Sequence, residues 1–303
     1  MNSSLMVNNA LWTSALISCM IDDTYEESGM MRNKDQENKK KQKLESILKG
    51  YGRVAVAFSG GVDSTFLLKT AHNVLGDQAV AVTVRSVFVP EKEQEEAERF
   101  CSELGIRLIS IDADVLQIEG LAENPPNRCY ICKKELFTRI REQAGQLQIE
   151  HIAEGSNTDD LSDYRPGMAA IRELGIHSPL CEAGLGKSEI RNLSQDLLLP
   201  TWNKPSMACL ASRFVYGETI TKDQLKMVER AEELLHLLGF RQYRVRIHGG
   251  SLARIEVEPE EIHQLLPLRG QIHTAFRQLG FSFVTVDLGG YRTGSMNEAI
   301  GIQ

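Results

Sequence analysis

The 303-residue chain lacks the features that mark several common classes of protein. No apolar stretch is long enough to span a bilayer, and the apolar run at residues 10–21 is short and follows no Lys or Arg. Six cysteines are too few for a secreted disulfide scaffold of this length. A net charge of −7 argues against a nucleic-acid partner held by bulk charge. We therefore expect a cytoplasmic protein with free thiols that binds neither membranes nor nucleic acids.

The composition, with 42% hydrophobic and 25% charged residues, is typical of a globular protein with about two domains. Residues 1–43 carry little beyond an acidic and a basic cluster, and we expect a mobile leader there. Residues 44–203 alternate apolar strands with amphipathic helices, which predicts an α/β domain with a parallel sheet flanked by helices. Residues 204–303 predict a smaller α+β domain, in the order helix 221–238, strands 243–248 and 252–257, helix 269–279 and strand 282–287.

The stretch Ser-Gly-Gly-Val-Asp-Ser at residues 59–64 is the strongest motif. An apolar strand at 54–58 precedes it, and a helix beginning at Asp63 or Ser64 follows. Glycines allow the backbone to approach closely, and the helix start offers unpaired N–H groups to phosphate. A glycine pair alone predicts only a turn, whereas strand, turn and helix together favour nucleotide binding. The spacing fits neither a Walker A loop nor a dinucleotide fingerprint. The predicted nucleotide-binding residues of this motif are Ser59, Gly60, Gly61, Val62, Asp63 and Ser64.

Further polar residues follow the other predicted strands of the sheet. Ligands of open α/β sheets bind at the carboxyl ends of the strands, where Arg85, Gly155 and Lys187 should meet the motif. Asp63 or Asp160 would supply the hard oxygen ligands that Mg²⁺ prefers. Each residue taken singly is better explained as a surface charge or a helix cap, and the shared edge is what favours a site. Residues 178–180 predict one more short strand.

Three cysteines form the second candidate site. Cys129 and Cys132 lie one helical turn apart, and Cys209 falls in the loop between the two predicted domains. A single Cys-x-x-Cys pair is compatible with redox chemistry, zinc or coincidence. Structural zinc normally takes four ligands, for which Cys181 or His177 would be needed. Three thiolates also suit an iron–sulfur cluster with one open iron.

A pair of arginines forms a third candidate site. Arg244 and Arg246 alternate along one strand and therefore share a sheet face. Beside Ser212 and Arg213 they would form a pocket for a phosphate or a carboxylate. A solvated strand face explains the same pattern about equally well.

The motifs, taken in order, carry a family resemblance. Residues 59–64 resemble the PP-loop of the ATP pyrophosphatases, which cleave ATP to AMP and pyrophosphate. Over about residues 44–296 the chain resembles the LarE-like ATP-dependent sulfur transferases of nickel-pincer nucleotide cofactor synthesis. The segments that carry this resemblance are residues 59–64, 128–132, 154–160, 163–167, 204–213, 244–248 and 287–292.

The resemblance implies a PP-loop fold, also called adenine nucleotide alpha hydrolase-like, that uses ATP and Mg²⁺. The implied substrate is a pyridinium biscarboxylic acid mononucleotide, whose carboxylates are adenylated in turn and converted to thiocarboxylates. In members with one active-site cysteine, matched here by Cys209, that residue gives up its own sulfur. Family members with two further cysteines, matched here by Cys129 and Cys132, are expected to hold a [4Fe-4S] cluster that carries the transferable sulfide.

The sulfide for the cluster scheme would come from a donor protein or from free sulfide, and we expect a homo-oligomer. Two other functions stay open at this point. A tRNA thiolase or an amide-forming synthetase uses the same loop, although the acidic charge speaks against tRNA. A non-enzymatic nucleotide sensor or metal-binding module is the other alternative. Pyrophosphate release with and without the pyridinium substrate would separate them.

Overall fold

The computed structural model of the chain describes residues 34–161, 166–205, 208–292 and 294–295. The helices are α1 (residues 34–51), α2 (Val62–Leu75), α3 (Glu91–Glu103), α4 (Arg128–Gln146), α5 (Gly167–Glu173), α6 (Pro179–Ala183), α7 (Lys187–Asp196), α8 (Lys222–Leu237) and α9 (Ile262–Leu279). The strands are β1 (Val54–Ala57), β2 (Ala79–Arg85), β3 (Leu108–Asp112), β4 (His151–Ala153), β5 (Tyr243–His248), β6 (Leu252–Val257) and β7 (Phe283–Val286).

The first four strands form a parallel sheet in the order β3-β2-β1-β4, which confirms the predicted α/β architecture. Side chains alternate between its two faces. Val54 and Val56 belong to one buried cluster with α2, whereas Ala55 belongs to another that includes Phe137 of α4. Both faces of the sheet are therefore covered, and its carboxyl edge is left for polar residues.

The last three strands form a second sheet in the order β5-β6-β7, with an antiparallel and then a parallel pair. The predicted strands 243–248 and 252–257 have these limits in the structure. The core of this sheet also takes in Phe88, Val115 and Leu121 from the first half of the chain. The domain boundary at residues 203 and 204 therefore stays a prediction, because the second core draws on both halves.

Three elements differ from the predictions. The helix expected from Leu44 is already formed at residue 34, so residues 34–43 are helical rather than part of a mobile leader, and Glu37 among them is 5% exposed. The rest of the predicted leader, residues 1–33, lies outside the described residues. The strand predicted at 178–180 is wrong: Pro179 begins the short helix α6, because its fixed φ suits the first helical position. The last helix starts at Ile262 rather than at 269 and contains Pro267. None of the helices within the described ranges combines the length and hydropathy that crossing a membrane requires.

Candidate active site

The loop at residues 59–64 joins β1 to α2 as a strand–turn–helix unit. Gly60 has a φ of +72°, a conformation that other residues rarely adopt, and a Cβ there would lie 3.4 Å from Cβ of Ala97. The helix begins at Val62, one residue before the prediction. Ser64 Oγ donates to Gly61 O at 3.2 Å and lies 3.1 Å from Ser59 Oγ. The turn is therefore held by its own hydroxyls, and the first turn of α2, like that of any helix, offers N–H groups without intrahelical partners.

Gly155 packs closely against the PP-loop, and its predicted role in binding ATP remains a prediction. A Cβ at this position would lie 3.0 Å from the backbone N of Ser64. The chain that leaves β4 therefore packs directly on the first turn of α2, and this close approach requires glycine. Gly155 supports the loop through this packing and is not among the residues that line the cleft described next.

A cleft of about 280 Å³ opens in front of the loop. The PP-loop, the turn before α3, the start of α7 and the segment that precedes the 3₁₀-helical residues 210–213 form its walls. Its lining residues are Ser59, Gly61, Val62, Asp63, Phe88, Val89, Pro90, Glu93, Lys187, Lys204, Pro205, Ala208 and Cys209. The loop motif and Cys209 are far apart in sequence, and the fold brings them to one cavity.

Asp63 and Lys187 form the charged centre of the cleft. Lys187 Nζ donates to Asp63 Oδ2, and its backbone N donates to Asp159 Oδ2 at 3.0 Å. The second carboxylate oxygen, Asp63 Oδ1, is buried and has no hydrogen-bond partner among the described residues. A buried carboxylate oxygen without a partner is a suitable ligand for a hard cation, so Asp63 fits the predicted Mg²⁺.

Two other predicted residues lie apart from the cleft lining. Arg85 pairs with Glu98 at 3.4 Å, and about half of its side chain is exposed. Asp160 Oδ2 accepts the backbone N–H of Asn157 at 3.0 Å and so supports the turn after β4. Their roles in binding ATP and Mg²⁺ remain predictions.

Sequence reasoning missed Lys204 as an individual site residue. Its ammonium group lies 2.5 Å from Glu93 and 2.8 Å from Glu96, and 3.4 Å from Gly60 O in the PP-loop. Burial alone would lower the pKa of Lys204, but the two glutamates outweigh it and raise that pKa. Lys204 thus links the loop that carries Cys209 to α3 and to the PP-loop, contacts that no local pattern indicates.

Cys129 and Cys132 lie one turn apart at the start of α4, and the charge of Cys209 acts on both of them. Burial raises the pKa of Cys132 to about 12, and negative charge on Cys209 and Cys129 adds to the rise. Loss of solvation raises the pKa of Cys129 as well, and Cys209 is the next cause. Because the charge of Cys209 acts on both thiols of α4, the start of α4 and the Cys209 loop share one electrostatic environment.

The donor set suits a soft metal, since thiolates are the ligands of iron–sulfur clusters. Within the described parts of the chain, however, no group of three or more His, Cys, Asp or Glu side chains is arranged to hold a metal ion. The proposed fourth ligands of a zinc site are engaged elsewhere. His177 lies 3.2 Å from His151, nitrogen to nitrogen, and Cys181 donates to Ser156 O at 3.2 Å.

Arg213 holds the backbone of the Cys209 loop. Its guanidinium donates to Ala208 O at 2.6 Å and to Cys209 O at 3.2 Å. On its other side it forms two 2.8 Å bonds with the carboxylate of Glu232, from α8. Arg213 is fully buried and Glu232 is 4% exposed, so the pair is a fork-to-fork contact in the interior.

The two arginines of β5 are buried, so a solvated strand face is the wrong explanation. Arg246 donates to Glu256 at 2.9 and 3.1 Å and to Ser212 O at 2.9 Å. The guanidinium of Arg244 lies 5.2 Å from the ring centre of Tyr291. Burial, followed by the like charge of Arg213, lowers the pKa of Arg244 to about 10. Arg244 also donates to Tyr243 O at 2.6 Å.

Replacing Glu232 with Gln should lower the free energy of unfolding by about 3 kcal/mol or more, because Arg213 would then be a buried charge without its counter-ion. Burial alone would raise the pKa of Glu232, but Arg213 outweighs it and holds the pKa low. This stabilisation is therefore complete above the unfolded-state pKa of about 4.3 and is lost as the pH falls through the folded-state pKa.

Urea unfolding of wild type and Glu232→Gln between pH 7 and pH 3 measures both effects. The difference between the two proteins should be largest at neutral pH and should shrink in acid. Glu233→Gln, an exposed neighbour on the same helix, is the matched control and should change stability by less than about 0.5 kcal/mol. Equal effects of the two substitutions would contradict the assignment of a buried pair.

The strand–loop–helix unit and its cleft define a nucleotide-binding enzyme of the PP-loop class. Residues 32–163 match the family model of the PP-loop domain. A pyridinium-3,5-bisthiocarboxylic acid mononucleotide synthase of Lactiplantibacillus plantarum is 38% identical over 262 residues, which cover 86% of this chain and 95% of the relative. An uncharacterised protein of Synechocystis sp. is 42% identical over 263 residues, 85% of this chain and 98% of the relative. The chain belongs to the LarE-like family of ATP-dependent sulfur transferases.

A more distant relative matches a smaller share of the chain. One component of a glutamine-hydrolysing GMP synthase of Archaeoglobus fulgidus is 28% identical over 200 residues, which cover 61% of this chain and 64% of the relative.

Proposed function

We propose that this protein uses ATP to adenylate the carboxylates of a pyridinium biscarboxylic acid mononucleotide and converts them to thiocarboxylates for nickel-pincer cofactor synthesis. One observation carries the proposal: Cys209 lines the same cleft as Asp63 and Lys187 of the ATP site. The sulfur and the α-phosphate of ATP would then reach the same carboxyl group of the substrate, the phosphate at its oxygen and the sulfur at its carbon. The relative from Lactiplantibacillus plantarum, named for the bisthiocarboxylic product, supports this choice of substrate.

The first step activates the carboxylate. Its oxygen attacks the α-phosphorus of ATP, forms an acyl adenylate and releases pyrophosphate. The N–H groups that begin α2 and the ammonium group of Lys187 would stabilise the negative charge on the phosphates. Asp63 would hold Mg²⁺ through its unpartnered oxygen. Adenylation is needed because a free carboxylate is a poor electrophile and AMP is a good leaving group.

The second step forms the carbon–sulfur bond. A sulfur anion attacks the acyl carbon, and the bond to AMP breaks, so that a thiocarboxylate and AMP are formed. We propose that Cys129, Cys132 and Cys209 together ligate a [4Fe-4S] cluster, supported by the influence of the Cys209 charge on both thiols of α4. When bound, such a cluster would present one open iron for a transferable sulfide. The sulfide would come from a donor protein or from free sulfide.

The sacrificial route is the alternative, and it uses Cys209 alone. The Cys209 thiolate would displace AMP to form a thioester, and loss of the Cα proton would break the Cβ–S bond. The products would be the thiocarboxylate and a dehydroalanine at position 209. This route allows one sulfur transfer per chain and leaves Cys129 and Cys132 without a role. We favour the cluster for that reason.

The substrate is anionic and would bind at the arginines of β5. Arg244 is buried beside the ring of Tyr291, and its guanidinium would add to the positive charge offered to a phosphate or carboxylate. Arg246 and Arg213 are paired with Glu256 and Glu232, so their first effect is to shape the pocket and to hold the Cys209 loop. The local cluster explains how an acidic protein could bind an anion.

The test of this function measures pyrophosphate, AMP and thiocarboxylate on anaerobically prepared protein with and without the pyridinium substrate. We expect pyrophosphate release to depend on that substrate and to match AMP formation. Iron and sulfide analysis, with the mass of the peptide that contains Cys209, separates the two routes. About four irons and an unchanged Cys209 after turnover support the cluster. Colourless protein that loses one H₂S per chain would overturn it in favour of the sacrificial route.

A further inference from the structure

Helix α1 contacts the helix that carries the cleft lysine. Lys40 Nζ lies 2.6 and 2.7 Å from the two carboxylate oxygens of Glu189, in the first turn of α7. Their side chains are only 27% and 16% exposed. One turn earlier in α1, Glu37 accepts a 2.9 Å hydrogen bond from Asn192, also on α7. The two helices are thus joined by an ion pair and a hydrogen bond, both largely shielded from water.

Glu189 has a second partner that matters for the site. Its Oε2 accepts the backbone N–H of Gly186 at 2.9 Å, which caps the start of α7. The next residue is Lys187, whose side chain reaches Asp63 in the cleft. The carboxylate that Lys40 holds therefore also fixes the turn from which Lys187 projects.

We propose that Lys40 is a positioning residue for Lys187, and that α1 thereby tunes how tightly the cleft binds the phosphates of ATP. This inference rests on the proposed role of Lys187 as a phosphate ligand. Without Lys40, the partly buried Glu189 carboxylate would lose its counter-ion and would turn toward water. The capping bond to Gly186 would weaken, and the first turn of α7 would lose the geometry that directs Lys187.

An ordinary surface ion pair would not have this effect. Exposed pairs contribute little, because water screens the charges and the side chains lose entropy. The Lys40–Glu189 pair differs because it is mostly shielded, engages both carboxylate oxygens and joins residues 149 positions apart. The stem of Lys40 also passes near Gly184, where a Cβ would lie 3.9 Å from its Cε. The pair thus links α1 to the segment that leads into α7.

The test is a double-mutant cycle of Lys40→Met and Lys187→Met, read by the affinity for α,β-methylene-ATP, which resists cleavage at the bond that the enzyme breaks. Loss of one charge-assisted contact predicts about thirtyfold weaker binding for Lys187→Met. Misplacement of Lys187 predicts about tenfold weaker binding for Lys40→Met. In the double variant the Lys40 substitution should add nothing, because the residue through which it acts is gone. Lys40→Arg keeps the charge and should restore most of the affinity.

The control is Lys43→Met, an exposed lysine on the same helix, which should bind the analogue as the wild type does. A general loss of folding would weaken binding by the same factor with or without Lys187, and that additive result would overturn the inference. So would wild-type affinity for Lys40→Met. Because the readout is binding of an ATP analogue, the outcome does not depend on whether the sulfur-transfer step proceeds as proposed.

Discussion

The Cys209→Ala variant should make no thiocarboxylate, yet it should still release pyrophosphate when ATP and the pyridinium substrate are present. Both routes of sulfur delivery require the Cys209 sulfur, either as a ligand of the cluster or as the donor itself. Adenylation, in contrast, uses the PP-loop, Asp63 and Lys187, which the substitution does not touch. We expect product formation to fall below detection and the first round of pyrophosphate release to stay within about threefold of wild type.

Liquid chromatography with mass detection follows the product, and a coupled assay follows pyrophosphate. Cys181→Ala is the matched control, because that thiol bonds to Ser156 O, outside the residues that line the cleft. Burial also raises the pKa of Cys181 to about 11, so its thiol is a poor nucleophile at neutral pH. Normal product formation by Cys209→Ala would rule out this cysteine as the sulfur-transfer residue.

Alanine substitutions of the other two cysteines distinguish the two routes when the iron content is measured. Under the cluster proposal, Cys129→Ala and Cys132→Ala should lose iron and product together with Cys209→Ala. Under the sacrificial route, the first two variants should keep the single turnover of the wild type. The start of α4, which carries both residues, is held by Arg128 through a bond to Asn124 and a contact with Tyr216, so loss of a thiol there should leave the helix intact.

The Asp63→Asn variant should lose at least about a hundredfold in the rate of pyrophosphate release, because one carboxylate serves two purposes in the cleft. Its Oδ2 accepts a bond from Lys187, and its buried Oδ1 is available to Mg²⁺. Asparagine has nearly the same shape, so the helix start should be preserved. The charge that attracts the cation and orients Lys187 would be missing.

Initial rates at saturating ATP over a range of Mg²⁺ concentrations measure this effect. A partial recovery at high Mg²⁺ would show that the lost group binds the cation. Asp77→Asn, at an exposed position after α2, is the control and should behave as wild type. Near-normal rates for Asp63→Asn would mean that the nucleotide site lies elsewhere in the protein.

Local structure and the chemical class of the site follow from the amino-acid sequence alone. Strand 54–57, the glycine turn and helix 62–75 depend on residues that are adjacent in the chain, since buried apolar runs and backbone sterics act locally. The same holds for β5 and β6, whose predicted limits match the structure. The sequence determines short elements less well, because the three residues 178–180 are too few to show a period that separates a strand from a helical turn.

The partners of the charged residues, in contrast, are set by the tertiary packing. The sequence presents Arg213, Arg246 and Lys204 as cations, but it does not show that Glu232, Glu256 and Glu93 neutralise them. It also contains no reason to extend a helix back to residue 34, because α1 contacts α7 about 150 residues later. Such pairs depend on how the sheets and helices pack, whereas sequence patterns report only neighbours within a few turns. The cleft where Cys209 meets the PP-loop is a product of that packing.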